Sequence, residues 1–153
     1  MKNLRIYIDT SVIGGCYDEE FEKHSNELFE MFIKGDYRAV VSIITMQELT
    51  DAPEYIRQKI KTIPENNIDY IRLSPEAAEL AQKYIHACVL NSTQLIDAQH
   101  IAIATCEKVD VITSWNFKHI VNLNKINGFN SVNIREGYSL IEIRSPREVI
   151  DEG

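Results

Sequence analysis

Ile6-Tyr7-Ile8-Asp9-Thr10-Ser11-Val12-Ile13-Gly14-Gly15 decides how the rest of the chain is read. An apolar run from Leu4 to Ile8, broken only by Arg5, ends abruptly in a carboxylate, two hydroxyls and a glycine pair. The run has the length of a strand buried on both faces. Asp9 then stands where a parallel strand delivers its C-terminal end to solvent, the edge at which open α/β sheets place ligands. Asp9 also suits the N-cap of a helical turn, and Thr10 or Ser11 can fill that role or help hold whatever Asp9 holds.

Outward from this stretch, strand and helix patterns alternate. Leu28/Phe32 and Phe29/Ile33 at i, i+4 predict an amphipathic helix within Asp18 to Lys34, stopped by Gly35-Asp36. Tyr37 to Ile44 predicts a second buried strand, and a helix beginning near Thr45 carries Glu48 in about its first turn. Pro53 restarts a helix through about Lys61, and Ile68 to Leu73 predicts a third strand at a sheet edge. Ser74-Pro75 has the N-cap and N1 pattern of a helix that runs towards Val89. Ser92 or Thr93 caps a helix over Gln94 to Glu107, which carries Asp97, His100 and a row of alanines suited to close packing on a sheet. Val109 to Ser114 is the fourth strand, ending in Ser114-Trp115-Asn116, and Phe117 to Asn122 is expected as a short helix. Beyond Leu123 the Asn-rich sequence predicts only a strand at Leu140 to Ile143 and a helical turn opened by Ser145-Pro146. Strands alternating with helices predict a three-layer α/β/α sandwich around a mainly parallel sheet, one domain over residues 1–153.

Composition sets the outer bounds. With 153 residues, 44% of them hydrophobic and 25% charged, the chain is expected to be an ordinary soluble globular protein. No apolar stretch approaches the roughly 18 residues of a membrane span, and no secretory pattern opens the chain, so a cytoplasmic protein without a membrane partner is expected. Cys16, Cys88 and Cys106 match no metal or redox spacing and are expected as reduced, small buried residues. A net charge of −7 argues against broad, non-specific nucleic-acid binding. It leaves open a carboxylate cluster that a cation neutralises in use.

Such a cluster is what the motif positions suggest. Asp9 follows the first strand, Glu48 opens the helix after the second, Asp97 lies on the helix before the fourth, and Ser114 and Asn116 follow that strand. In a parallel sheet all of these can converge on one edge. Carboxylates crowded there repel one another unless a divalent cation sits among them. Oxygen-only ligands select hard ions, Mg²⁺ or Mn²⁺, which activate water and brace a phosphoryl group for in-line displacement.

The successive motifs Ile8-Asp9-Thr10-Ser11, Glu48-Leu49 and Asp97-Ala98-x-His100-Ile101-Ala102-x-Ala104 resemble the acidic motifs of PIN domains, nucleases that include VapC-type toxins. Val111 to Phe117 falls where that family has its fourth motif, and Ile143-x-Ser145-Pro146-x-Glu148 resembles its tail. The resemblance implies a Mg²⁺- or Mn²⁺-dependent endoribonuclease acting on RNA, with Asp9, Glu48 and Asp97 as metal ligands. It further implies an antitoxin protein partner and a homodimer. The chain departs from the family at Ser114 and Asn116, where one or two aspartates are usual. Asn116 can still serve through its carbonyl oxygen or by bonding metal-held water. The lost charge bears on a second metal site, and on whether the protein cuts at all.

Other candidates have plainer roles. His100 shares a helix face with Asp97 and is expected to pack against it or orient it. Trp115 can stack on a base or fill the core, and Lys118, His119, Arg57, Lys59 and Lys61 are the few candidates for an RNA backbone. A catalytically silent binding module on the same fold is the main alternative. A phosphatase is a poorer match, since Ser11 stands where an aspartate is needed, and Gly14-Gly15 is no dinucleotide fingerprint.

Overall fold

The computed structural model describes residues 3–152. Five strands, β1 (Leu4–Ile8), β2 (Tyr37–Ser42), β3 (Ile68–Ile71), β4 (Val111–Thr113) and β5 (Ile143–Arg144), form a sheet in the order β3-β2-β1-β4-β5. Every neighbouring pair is parallel. The helices are α1 (Thr10–Gly15), α2 (Glu22–Lys34), α3 (Ile43–Leu49), α4 (Glu54–Lys59), α5 (Pro75–His86), α6 (Leu95–Cys106), α7 (Leu123–Arg135) and α8 (Pro146–Glu152).

Alternation along the central strand distributes these helices into two layers. Ile6 and Ile8 pack with Leu28, Phe29 and Phe32 of α2 and Val149 of α8, whereas Tyr7 packs with Tyr84 of α5, Ile101 of α6 and Phe129 of α7. The strand is therefore buried on both faces, as its unbroken apolar character predicts. Arg5, its one charge, lies at the opposite end from Asp9, where Asp69 and Glu107 pair with it at 3.6 and 3.4 Å. The three-layer sandwich follows, with an all-parallel sheet among the described residues.

The strand order locates the functional edge. The chain leaves β1 for β2 and β3 on one side, then returns to build β4 and β5 on the other. Between β1 and β4 the winding reverses, and such a reversal opens a crevice at the strand C-termini. Register pairs Ile8 with Thr113, so Asp9 and Ser114 emerge side by side.

Local departures from the sequence expectation have identifiable causes. Of the three candidate caps of α1, Asp9 takes the role, accepting the Val12 N–H at 3.2 Å. β2 stops at Ser42 because that side chain caps α3, which starts at Ile43 rather than near Thr45 and carries Glu48 into its second turn. Asn91, rather than Ser92 or Thr93, caps the segment leading to α6, in a reciprocal capping box with Gln94 and through one 3₁₀ turn. Phe117 to Asn122 forms hydrogen-bonded turns, not a helix. α7 was not expected from its asparagines; Asn133, buried between Tyr84 and Thr105, anchors it. Strand pairing near Leu140 is confined to Ile143–Arg144. Cys16 is buried, but Cys88 is exposed and Cys106 half-buried. Among the described residues no helix is long and apolar enough to cross a membrane.

The glycine pair ending α1 yields a contrast. A Cβ on Gly15 would lie 2.7 Å from both Ser25 Oγ and Trp115 Nε1, which are hydrogen-bonded to each other at 2.8 Å; one on Gly14 would meet nothing within 4 Å. Gly15→Ala is predicted to cost about 1–3 kcal/mol by overpacking. Gly14→Ala should be neutral or stabilising by up to about 1 kcal/mol through helix propensity, as urea unfolding midpoints would show.

Candidate active site

Asp9 is 5% exposed, the most buried carboxylate at the crevice. Burying an ionised carboxylate demands donors, and the two strand ends supply them. Ser11 Oγ donates to Oδ1 and Ser114 Oγ to Oδ2, both at 2.6 Å, beside the Val12 N–H. The serines are fixed in turn: Ser11 Oγ accepts the Trp115 N–H and Ser114 Oγ the Asn116 N–H, each at 2.9 Å. Loops after β1 and β4 are thus stitched together around one carboxylate.

Glu48 is reached through a chain of side chains that crosses the core. Ser42 Oγ accepts the Thr45 N–H, so its own proton is free to go to Tyr7 Oη, 2.6 Å away. Tyr7 then donates to His100 Nδ1 at 2.6 Å, and His100 Nε2–H to Glu48 Oε1 at 2.9 Å. With this direction every donor has an acceptor, which assigns the imidazole its Nε2–H tautomer. Thr10 Oγ1 donates to the same glutamate oxygen at 2.6 Å. His100 is 2% exposed and its bonds go to Tyr7 and Glu48, so it orients Glu48 rather than Asp97.

Asp97 is held by the loop after β4. Asn116 Nδ2 donates to its Oδ1 at 3.4 Å, and His119 Nδ1 faces its Oδ2 at 3.3 Å. The second histidine has the opposite tautomer. Gln94 Oε1 is committed to the capping box, so its Nε2 donates to His119 Nε2 at 3.1 Å and leaves the ring proton on Nδ1. Asn116 is equally constrained, because its Oδ1 accepts the His119 backbone N–H at 2.9 Å.

Burial pushes the Asp9 carboxyl above its ordinary value despite the bonds from Ser11 and Ser114. Burial likewise raises Asp97, and the Asp9 and Glu48 charges add to the rise. At Glu48 burial also pulls upward, but the bonds from His100 and Thr10 outweigh it and the carboxyl ends below its ordinary range. The three acids therefore belong to one electrostatic site, two of them strained in the ionised form.

Comparison with known proteins bears on the family and the fold. The PIN domain family model matches residues 6–116, from β1 to the loop after β4. The chain belongs to the PIN domain family. Solved structures with the same fold include a toxin–antitoxin complex from Klebsiella pneumoniae, at 17% identity and a TM-score of 0.58 over 78% of this chain and 93% of that one. FitAcB from Neisseria gonorrhoeae matches at 12% identity and a TM-score of 0.57, over 93% and 98% of the two chains. The Mycobacterium tuberculosis toxin VapC20, which cleaves the sarcin–ricin loop, matches at 11% identity and a TM-score of 0.53, over 70% and 86%. No curated protein matches the sequence.

On this PIN fold Ser11 and Ser114 bond Asp9, Asn116 bonds Asp97, Thr10 and His100 bond Glu48, and the charges of Asp9 and Glu48 both reach Asp97 at the β1–β4 crevice. Ser114 and Asn116, the neutral residues of the fourth motif, each donate to one of the acids. Trp115 belongs to the core: it is 8% exposed, stacked on Phe21 at 4.4 Å and bonded to Ser25. Tyr7, Ser42 and Gln94 escaped the sequence, and His119 was a candidate for RNA rather than for Asp97. Tyr7 carried a signal, since a tyrosine in a doubly buried strand needs a partner for its hydroxyl. Among the described residues no three His, Cys, Asp or Glu side chains already form a metal-binding group. The donor chemistry nevertheless fits a hard divalent cation. Such an ion is commonly held by one or two carboxylates and retains several waters, and the raised Asp9 and Asp97 carboxyls are what its charge would relieve.

These shifts predict opposite pH signatures. A carboxyl with a raised folded pKa contributes stability that is complete at low pH and lost as pH rises through its folded value; a lowered one behaves inversely. Asp97→Asn should therefore be more stable than the parent near pH 7, with the gap closing towards about pH 4. Glu48→Gln should be less stable near pH 7, with its deficit shrinking on acidification. Thermal unfolding of metal-free protein across that range checks both signs.

Proposed function

We propose that this PIN protein is a divalent-metal-dependent endoribonuclease acting in the cytoplasm, the toxin of a toxin–antitoxin pair. The observation that carries the reading is the gathering of Asp9, Glu48 and Asp97 at the β1–β4 switch point, with two of the three strained as anions. Membership of a nuclease family and the likeness to a toxin–antitoxin complex and to an RNA-loop-cleaving toxin support it. An antitoxin and a second copy of the chain are the partners this reading implies.

Asp9 and Asp97, with Glu48, would hold the Mg²⁺ or Mn²⁺. When bound, that ion supplies Lewis-acid activation of water and of the phosphoryl oxygen. Asp9 is immobilised by its three donors and fixes one wall of the site. Glu48 is kept anionic by Thr10 and His100, with the buried Tyr7–Ser42 chain setting the imidazole's tautomer. Asp97, held by the longer contacts from Asn116 and His119, would help position the attacking water. Because Ser114 and Asn116 donate where the family usually places charge, the site suits one cation rather than two.

A mixed RNA panel incubated with Mg²⁺, Mn²⁺ or EDTA tests the reading. Cuts are expected with either ion and not with EDTA, and both Asp9→Asn and Asp97→Asn should fall to the EDTA background while staying folded. Folded, ion-supplied parent protein that leaves all RNA intact would overturn the nuclease and favour a silent binding module, with the neutral Ser114 and Asn116 as its cause.

A further inference from the structure

Beside the carboxylates lies a cleft of about 630 Å³ between the segment linking α5 to α6 and the segment entering α7. We infer that this cleft is the seat of the RNA nucleotide next to the cut, holding its phosphate and sugar. The inference rests on the ribonuclease reading above and adds to it the residues that would grip the strand.

Three observations converge. The chain has 23 acidic residues against 16 lysines and arginines, yet no carboxylate lines the cleft, while Lys118, Lys125 and His119 do. That charge distribution selects an anionic ligand on an otherwise acidic protein. The cleft is also continuous with the site, since the His119 ring that lines it faces Asp97 Oδ2 at 3.3 Å. A strand with one phosphate near Asp97 that runs past this ring into the cleft meets Lys118 and Lys125. Finally, the lining sets polar and cationic groups beside the apolar floor of Ile85, Val89 and Leu90, which suits a sugar against a phosphate. Lys125 Nζ is tethered by donating to Val89 O at 2.6 Å, which leaves two of its three donor hydrogens for a phosphate. The exposed Ser92 and Asn91 add neutral groups of the kind that bond a ribose. The volume falls within the range of small-ligand pockets, about 300–1,000 Å³. Lysines tracking a backbone, without base-specific donors, bind single strands largely irrespective of sequence.

Cys88 provides a reporter independent of mutation, because it lines the cleft and is exposed, whereas Cys16 is buried and Cys106 half-buried. The full chain, kept in EDTA so that nothing is cut, would be titrated with a short single-stranded RNA of mixed sequence and followed by fluorescence anisotropy. Lys118→Gln and Lys125→Met should each weaken binding severalfold and flatten the slope of log affinity against log salt by roughly 0.7. Lys118→Arg should restore both. Saturating RNA should slow maleimide alkylation of Cys88 and leave Cys106 unchanged. Unaltered slopes together with an unprotected Cys88 would overturn the inference, even if the carboxylate-dependent cutting stood. Protection of Cys88 that depends on the two lysines, in a protein that cuts no RNA with any ion, would sustain the cleft and sink the nuclease.

Discussion

The Asp9 carboxylate is almost wholly withdrawn from water, and much of the surrounding chain exists to make that tolerable. Its oxygens accept from Ser11 and Ser114, whose own oxygens accept backbone N–H groups of the loop after β4. An unpaired buried carboxylate would cost several kcal/mol. The β1 and β4 loops are therefore bound to their mutual arrangement by one side chain, and the switch-point crevice is fixed before any ligand arrives. The same buried charge is what the cation of the proposed function would relieve. Donors hold Asp9 in place without fully compensating its desolvation, which leaves its carboxyl raised.

The other two acids are braced by different means. Glu48 projects towards solvent but is held from beneath by His100, whose tautomer is dictated by a hydroxyl relay through Tyr7 and Ser42. Asp97 is held by His119 and Asn116, in contacts of 3.3 and 3.4 Å at the long end of hydrogen bonding. Two histidines of opposite tautomer thus serve two carboxylates. One is locked in the core and the other shares a wall with an open, cationic cleft. A site graded from rigid at Asp9 to looser at Asp97 suits a group that stays with the protein at one end and a strand that comes and goes at the other. The neutral fourth motif fits this division, since aspartates at 114 and 116 would repel the anions that Ser114 and Asn116 now satisfy.

Most of the fold was legible because β1 is apolar on both faces and the helices flanking it carry regular apolar spacing. Convergence of the acids followed from placing each at a strand end or on an adjoining helix. Single side chains that competed with the backbone were not legible. Ser42 looked like the interior of a strand but caps α3, and Asn91 displaced its hydroxyl neighbours as a cap. α7 lacked a clear apolar stripe because Asn133 is buried for its hydrogen bonds rather than for its hydrophobicity. The link from Tyr7 to Glu48 spans β1, α3 and α6, and no local pattern announces a contact between residues so far apart. His100 was assigned to Asp97 by helix spacing; across the layer, Glu48 is the carboxylate its Nε2 bonds.

The central claim is that the β1–β4 crevice is built to hold a divalent cation among Asp9, Glu48 and Asp97. Crystals grown or soaked with Mn²⁺, examined by anomalous diffraction, test it most directly. The account predicts an anomalous peak within coordinating distance of Asp9 and Asp97, absent from an Asp97→Asn crystal treated identically. A fully soaked crystal of the parent protein with no peak at the crevice, or with Mn²⁺ bound only elsewhere, would contradict it.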